Sequence, residues 1–441
     1  MTRHSQNDDA WQRVFDEPSL GLLAALERDG FASVSAEQLK QIGRREPRLM
    51  AKFDTSSERP NIFKRHALTI FPIENGRYVI FPDQRQTSYF RVQDELAALL
   101  PERYRSETFL PRFDSYPRNQ HFSETQAIDF AYISKLLQTF VEDDALLLTL
   151  RGRLRSGDFA FTLPDGRAQV QVSGVQIEID SGYESDRAIY LIEAKIGKRD
   201  DFHIRQLLYP YLEWSRRSRK AVVPILLIYS NGVYYFFQFE FQQRFGEMRV
   251  VKKRCYALED APRLHVHLAN WLRRIPAEDE PKFPVPQADD LDTVVETTHA
   301  VADGKTSKTE IAESFEFDER QGDYYANAAA YLGLLERQQH GFVLSEAGAR
   351  FVGMASRNER SAYVLECLLK RPIFHDLLGQ LCAKSTESLF AAPLSPDDVP
   401  PQEIVRIILR HRPPLNETTA NRRVATIRSW IRWVFKNCDV I

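Results

Sequence analysis

The chain has 441 residues, 43% of them hydrophobic and 27% charged, with a net charge of −2, the profile of a globular protein of two to three domains. No apolar run approaches the roughly 18–20 residues that span a bilayer, and the start, MTRHSQNDDAWQRVF, lacks the apolar core of a signal peptide, so a cytoplasmic location without membrane contact is expected. Cys255, Cys367, Cys382 and Cys438 show neither metal-ligand spacing nor disulfide density and read as buried thiols, and the near-zero net charge excludes global attraction to a polyanion, so any such surface has to be a local basic patch.

Residues 1–120 read as a mixed α+β module. Ser35 and Gln38 form the reciprocal pair of a capping box and start a helix there. The segments His66–Ile70 and Tyr78–Phe81 alternate as strands, and Asn75-Gly76 before the second is a hairpin turn. Arg44-Arg45-Glu46-Pro47-Arg48 and the cations from Lys52 to Arg65 give this module a basic rim. The rim is either a DNA-contacting surface or the solvated face of a structural domain.

A second unit is expected over residues 121–275. Ser123-Glu124-Thr125-Gln126 is another capping box, opening a helix whose apolar face is Ala127, Phe130, Ala131, Leu137 and Phe140. Strands are expected at Asp158–Thr162, turned by Pro164-Asp165-Gly166, then at Val170–Asp180 and Ala188–Lys195. A helix over Phe202–Trp214 follows, with Pro210 kinking it. Val222–Tyr229 is apolar throughout, the mark of a central strand covered on both faces, and Asn231-Gly232 turns it into Val233–Phe237.

The chemistry concentrates on two of these strands. Val175 to Asp180 alternates apolar and polar residues, which directs Gln176, Glu178 and Asp180 to one side. In the next strand Ile189, Leu191, Glu193 and Lys195 share a face, so Asp180, Glu193 and Lys195 are expected together. Two carboxylates on neighbouring strands can share one Mg²⁺, which keeps some waters and takes further oxygens from a substrate phosphate. A lysine beside them would assist the attacking water, an outline of phosphodiester hydrolysis.

Asp180, twelve intervening residues and then Glu193-Ala194-Lys195 resemble the PD-(D/E)XK nuclease signature, with Ile179 standing where that signature has its proline. The element order helix, three strands, helix, two strands is similar to the αβββαβ core of that superfamily. The stretch Arg45–Asp54 with Pro60–Lys64 resembles the N-terminal module of a group of type II restriction endonucleases. This resemblance implies an α/β (mixed α+β) fold with a restriction-endonuclease-like core, Mg²⁺ held by Asp180 and Glu193, and Lys195 assisting the water. It also implies a sequence-specific double-strand DNA endonuclease, a homodimer if both strands of a symmetric site are cut, and a companion DNA methyltransferase protecting host DNA. A repair or recombination nuclease and a non-catalytic DNA-binding regulator are the alternatives.

Other candidates surround the motif. Glu178 is either a further metal ligand or a solvent-facing strand carboxylate. Glu124 is either a supporting carboxylate or a favourable helix N-terminal charge, and Asp158 either a further acid or the end of a turn. Gln206 occupies the helix where the superfamily often has a glutamine facing the site. Arg151 and Arg153, flanking Gly152 ahead of the first expected strand, are phosphate-binding candidates on a loop.

Residues 276–305, rich in Asp, Glu and Pro, read as an acidic linker. Beyond it, Thr306–Phe315 and Asp318–Leu335 read as two helices, Gly341–Ser345 as a wing strand, and Glu346 as the start of a further helix. The pattern resembles a winged-helix DNA-binding unit within residues 306–441, in which the second helix commonly enters the major groove. Its expected contacts are Arg320, Gln321, Tyr324 and Asn327. The closing segment, Thr418–Trp433, carries Val424, Ile427 and Ile431 on one stripe, flanked by Arg422, Arg423, Arg428 and Arg432. It is similar to the terminal helix of restriction enzymes in this group, and its arginines are candidates for phosphate contact.

Overall fold

The computed structural model describes residues 6–96, 98–106, 108, 110–117, 122–166, 168–242, 248–258, 264–315, 317–354, 356–386 and 395–440. At its centre, β1 (Glu102–Tyr104), β2 (Leu147–Arg155), β3 (Gln176–Glu184), β4 (Ala188–Ile196), β5 (Ala221–Ser230), β6 (Val233–Phe241) and β7 (Met248–Leu258) form one sheet. Its spatial order is β1-β7-β6-β5-β4-β3-β2. The pairs β4–β5 and β7–β1 are parallel and the other neighbours antiparallel, which makes this a mixed sheet in an α/β protein.

Helices on both faces explain the apolar strands. From α1 (Glu124–Ile133), Ala127, Ile128, Phe130 and Ala131 pack with Tyr190, Ile192, Ile225 and Leu227. On the opposite face α2 (Arg205–Arg217), the crossover between the parallel strands, sets Leu208 and Tyr209 against Ile189 and Leu191 and Leu207 against Leu226 and Ile228. β5 is therefore covered on both sides, and each fully buried leucine or isoleucine there stabilises the fold by about 1.5–3 kcal/mol.

Three expectations about the strands change. The strand Asp158–Thr162 exists, but it pairs with Gln169–Ser173 as a hairpin outside the main sheet. The expected Val170–Asp180 strand is broken at Gly174, which sits at φ +62°, a conformation glycine adopts without steric cost. The first strand of the sheet is instead β2, where Arg151 and Arg153 stand on a strand and not on a loop. As an edge strand β2 keeps alternate residues in solvent, and cations with a glycine disguise such a strand as a loop.

The N-terminal module holds a three-stranded sheet in the order Ala32–Ser35, Arg77–Pro82, Leu68–Glu74, and the Ser35/Gln38 capping box starts the helix Ala36–Gly43. Its boundary falls earlier than residue 120. Tyr89–Phe90 pairs with Phe202–His203, and β1 extends the central sheet beside β7.

In the C-terminal unit α3 (Leu291–Ala302), α4 (Lys308–Phe315) and α5 (Glu319–Leu332) precede a hairpin of Leu335–Gln338 with Gly341–Leu344, and the unit closes on α6 (Glu417–Asn437). The expected linker is not one. Every residue of α3 from Leu291 to Val301 is buried, and its acidic side chains pair across to the central unit. Asp290 and Asp292 hold Lys198, and Glu296 Oε1 accepts the Asn231 backbone N–H at 3.0 Å. Upstream, Glu280 pairs with Arg412. Acidity that composition alone assigns to solvation therefore belongs to an interface. The unit also begins before residue 306, because Leu264–Val266 pairs with Cys438–Val440. Among the described residues no helix is long and apolar enough to cross a membrane.

Candidate active site

A bulge sets the aim of Asp180. Gly152 pairs with Ile179 and Leu150 with Gly182, so the single residue Arg151 on β2 faces both Asp180 and Ser181 on β3. Such an extra residue breaks alternation and redirects side chains. Ile177 and Ile179 accordingly pack with Ile189 and Leu191, whereas Tyr183 packs on the other face with Tyr190 and Ile192. Uninterrupted alternation from Ile179 would turn position 180 away from the face of Leu191 and hence of Glu193; the extra residue cancels that turn. At the same place the β3–β4 ladder stops at Ser181↔Ile192, and Asp180 Oδ2 accepts the Ala194 N–H at 2.8 Å in place of a backbone carbonyl.

Asp180, Glu193 and Lys195 line one cavity of about 340 Å³, together with Glu124, Glu178 and Gln206. Lys195 Nζ lies 2.9 Å from Glu193 Oε1 and 4.0 Å from Glu124 Oε1. Glu193 and Lys195 are each only 5% exposed. Burial, opposed by Lys195 and reinforced by the nearby Asp180 carboxylate, pushes the Glu193 carboxyl up to about 8. Burial also raises Asp180, despite its hydrogen bond from Ala194 and the charge of Lys195. The cavity is short of positive charge.

The remaining expected residues divide. Glu178 shares the wall but stays exposed, with its Oε1 3.2 Å from Arg153 Nε. Gln206 presents a buried Oε1 that accepts no hydrogen bond among the described residues. Arg151 pairs with Asp129 and donates to Ser181 Oγ at 3.2 Å, and neither Arg151 nor Arg153 lines the cavity. Their guanidiniums are engaged on β2 with carboxylates. Asp158 accepts a hydrogen bond from Ser173 Oγ within the outer hairpin and also stands outside the cavity.

Sequence reasoning missed four lining residues: Lys52, Asp54, Arg205 and Tyr209. Lys52 and Asp54 come from the N-terminal module, more than a hundred residues upstream of the motif, and no local periodicity marks them. Arg205 opens α2, its N–H donating to His203 Nδ1 at 3.2 Å. Burial holds His203 down at about 3, so this ring is a neutral acceptor at ordinary pH.

Five of the eight DNA-contact candidates in the C-terminal unit gather elsewhere. Arg320, Gln321, Tyr324, Arg422 and Arg423 surround a cavity of about 500 Å³ between α5 and α6, beside Asp289 and Asp318. The Arg320 guanidinium lies over the Tyr324 ring at 5.3 Å. Asn327 does not join them, since its Nδ2 donates to Asp323 O at 2.7 Å and its Oδ1 accepts from Arg337. Along α6, Arg428 donates to Val399 O and Arg432 pairs with Asp397. Their role is local packing, which leaves Arg422 and Arg423 as the cations of this helix facing the cavity.

Three domain families match successive stretches of the chain: residues 8–80 match a domain of unknown function (DUF6996), residues 85–257 another (DUF6997) and residues 293–439 a third (DUF7226). These limits follow the N-terminal sheet, the central sheet and the helical unit that begins with α3. No curated protein and no solved structure matches.

Proposed function

We propose that the protein is a Mg²⁺-dependent, sequence-specific double-strand DNA endonuclease of type II restriction character. In this reading the central unit is a PD-(D/E)XK nuclease core, and the helices α3 to α5 with their hairpin form a winged helix. The observation that carries it is the meeting of Asp180, Glu193 and Lys195, from adjacent strands, in one buried cavity with too little positive charge.

The donor set fits a hard cation. Among the described residues no three His, Cys, Asp or Glu side chains cluster closely enough to hold a metal alone. Mg²⁺ characteristically takes one or two carboxylates and completes its shell with water and substrate phosphate oxygens, and Asp180 and Glu193 are such a pair. When bound, Mg²⁺ supplies positive charge against the scissile phosphate. The chain's own groups do the rest. Lys195, fixed by Glu193, donates a hydrogen bond that orients the attacking water. Glu124, 4.0 Å from that ammonium, would receive the water's proton as the new P–O bond forms and the old one breaks. Glu178, engaged by Arg153, is outside this set.

The cavity between α5 and α6 supports DNA as the substrate. Three arginines, a glutamine and a tyrosine there combine phosphate-neutralising charge with groups able to reach base edges. Cutting both strands of a symmetric site calls for two copies of the chain, and a restriction enzyme of this kind works beside a methyltransferase.

Plasmid digestion with Mg²⁺ tests the proposal. The wild type is expected to give discrete fragments, and Asp180→Asn and Lys195→Ala to lose about 10²–10⁴-fold in rate without losing the fold. Cutting confined to flaps or junctions would transfer the site to DNA repair, and binding without cleavage under any divalent metal would make the chain a regulator.

A further inference from the structure

The central sheet does not build the cavity alone. Lys52 and Asp54 of the N-terminal module line it together with Asp180 and Glu193, and the loop that carries them is pinned in place. The His203 N–H donates to Asp54 O at 3.0 Å, the Ser56 N–H donates to Asp201 Oδ1 at 2.8 Å, and Tyr89 OH donates to Phe53 O at 3.2 Å. All three anchors belong to the unit that bears the motif, two of them in the segment leading into α2.

Within that loop the two side chains are differently placed. Asp54 is 3% exposed, and its Oδ1 accepts no hydrogen bond among the described residues. Its Oδ2 lies 2.7 Å from Lys52 Nζ, whereas the Lys52 side chain is 67% exposed. Burial alone would raise the Asp54 carboxyl, yet Lys52, ahead of Arg205 and Lys195, brings it below the usual carboxylate range. Charged Asp54 therefore holds the Lys52 ammonium at the cavity. A DNA backbone entering the cavity meets repulsion from its carboxylates, and Lys52 offers it attraction.

We infer that Lys52 is a substrate-binding residue that grips a backbone phosphate beside the scissile one, and that Asp54 is the positioning residue that fixes it there. The N-terminal module thereby completes the active site. This inference rests on the nuclease reading.

The full-length wild type, Lys52→Ala, Lys52→Arg and Asp54→Asn are compared on a fluorescent plasmid fragment that spans a mapped cleavage position. Binding is followed across a salt series without Mg²⁺, and single-turnover cleavage with it. Loss of one phosphate contact lowers the slope of log affinity against log salt by about 0.9. Lys52→Ala is expected to show that loss and at least tenfold slower cleavage at an unchanged melting temperature. Lys52→Arg is expected to restore both, and Asp54→Asn to fall between. Wild-type slope and rate in Lys52→Ala, with the wild type active, overturn this inference alone, whereas a wild type that cuts no DNA overturns the nuclease reading and this inference with it.

Discussion

Two lysines three residues apart on and just beyond β4, the buried Lys195 and the half-buried Lys198, both sit beside carboxylates, yet their surroundings differ in balance. Lys198 meets Asp290 and Asp292 across the interface with α3. Burial would push the Asp292 carboxyl up, but Lys198 and a hydrogen bond from Trp433 bring it well below the usual range. Around Lys195 the balance fails: Glu193 stays at about 8 and Asp180 is raised as well. Lys198 thus balances Asp292 at the interface, whereas Glu193 is left short of positive charge, as Glu296 near that interface also is. Buried ionisable groups in a cleft are candidates for function for that reason.

Removing each lysine tests the contrast most strongly. Lys198→Ala leaves two carboxylates facing each other in the interface and is expected to cost about 3–5 kcal/mol, read by denaturant unfolding. Lys195→Ala, whose partner can take a proton instead, is expected to change stability by less than about 1 kcal/mol. Equal losses from the two would erase the distinction drawn here.

A smaller effect lies in the pH dependence. Glu193 moves from an ordinary 4.5 to about 8 on folding, so the folded state binds its proton more tightly. The stability this contributes is fully present below about pH 4.5 and is lost as pH rises through about 8. Glu296, likewise raised by burial to about 8, acts in the same window. Glu193→Gln should flatten part of the decline, and Mg²⁺ should offset only the Glu193 share while releasing protons on binding. A decline untouched by both treatments would remove Glu193 from its sources.

The smallest effect belongs to the second cavity. Arg423 has a guanidinium whose pKa burial lowers, and neither it nor Arg422 has a hydrogen-bond or ion-pair partner among the described residues. Arg423→Ala should reduce the salt slope of DNA binding by about 0.9 with little change in melting temperature, whereas Arg432→Ala, which removes a pair with Asp397, should leave that slope alone.

The central strands, both capping boxes and the Asn231-Gly232 turn were legible because each is written in adjacent residues or in one periodicity. What escaped was long-range. Lys52 and Asp54 reach the cavity only through tertiary packing. The buried α3 was hidden by acidity whose partners, Lys198 and Asn231, lie far upstream, and β2 by its position at a sheet edge. The triad was expected from alternation of side chains, a premise the bulge breaks, so the grouping stands on a geometry that a period of two does not contain.

That bulge makes the site depend on parity. Asp180 and Ser181 together face Arg151, and having two residues between Ile179 and Gly182 where an unbroken ladder has one is what swings the aspartate toward Glu193. Excising Ser181 alone would keep every carboxylate and amine in the chain yet restore an even pleat, pointing Asp180 through the opposite side of the sheet. The proposed activity would then be lost with its chemical inventory complete, because this position contributes an orientation as much as a residue.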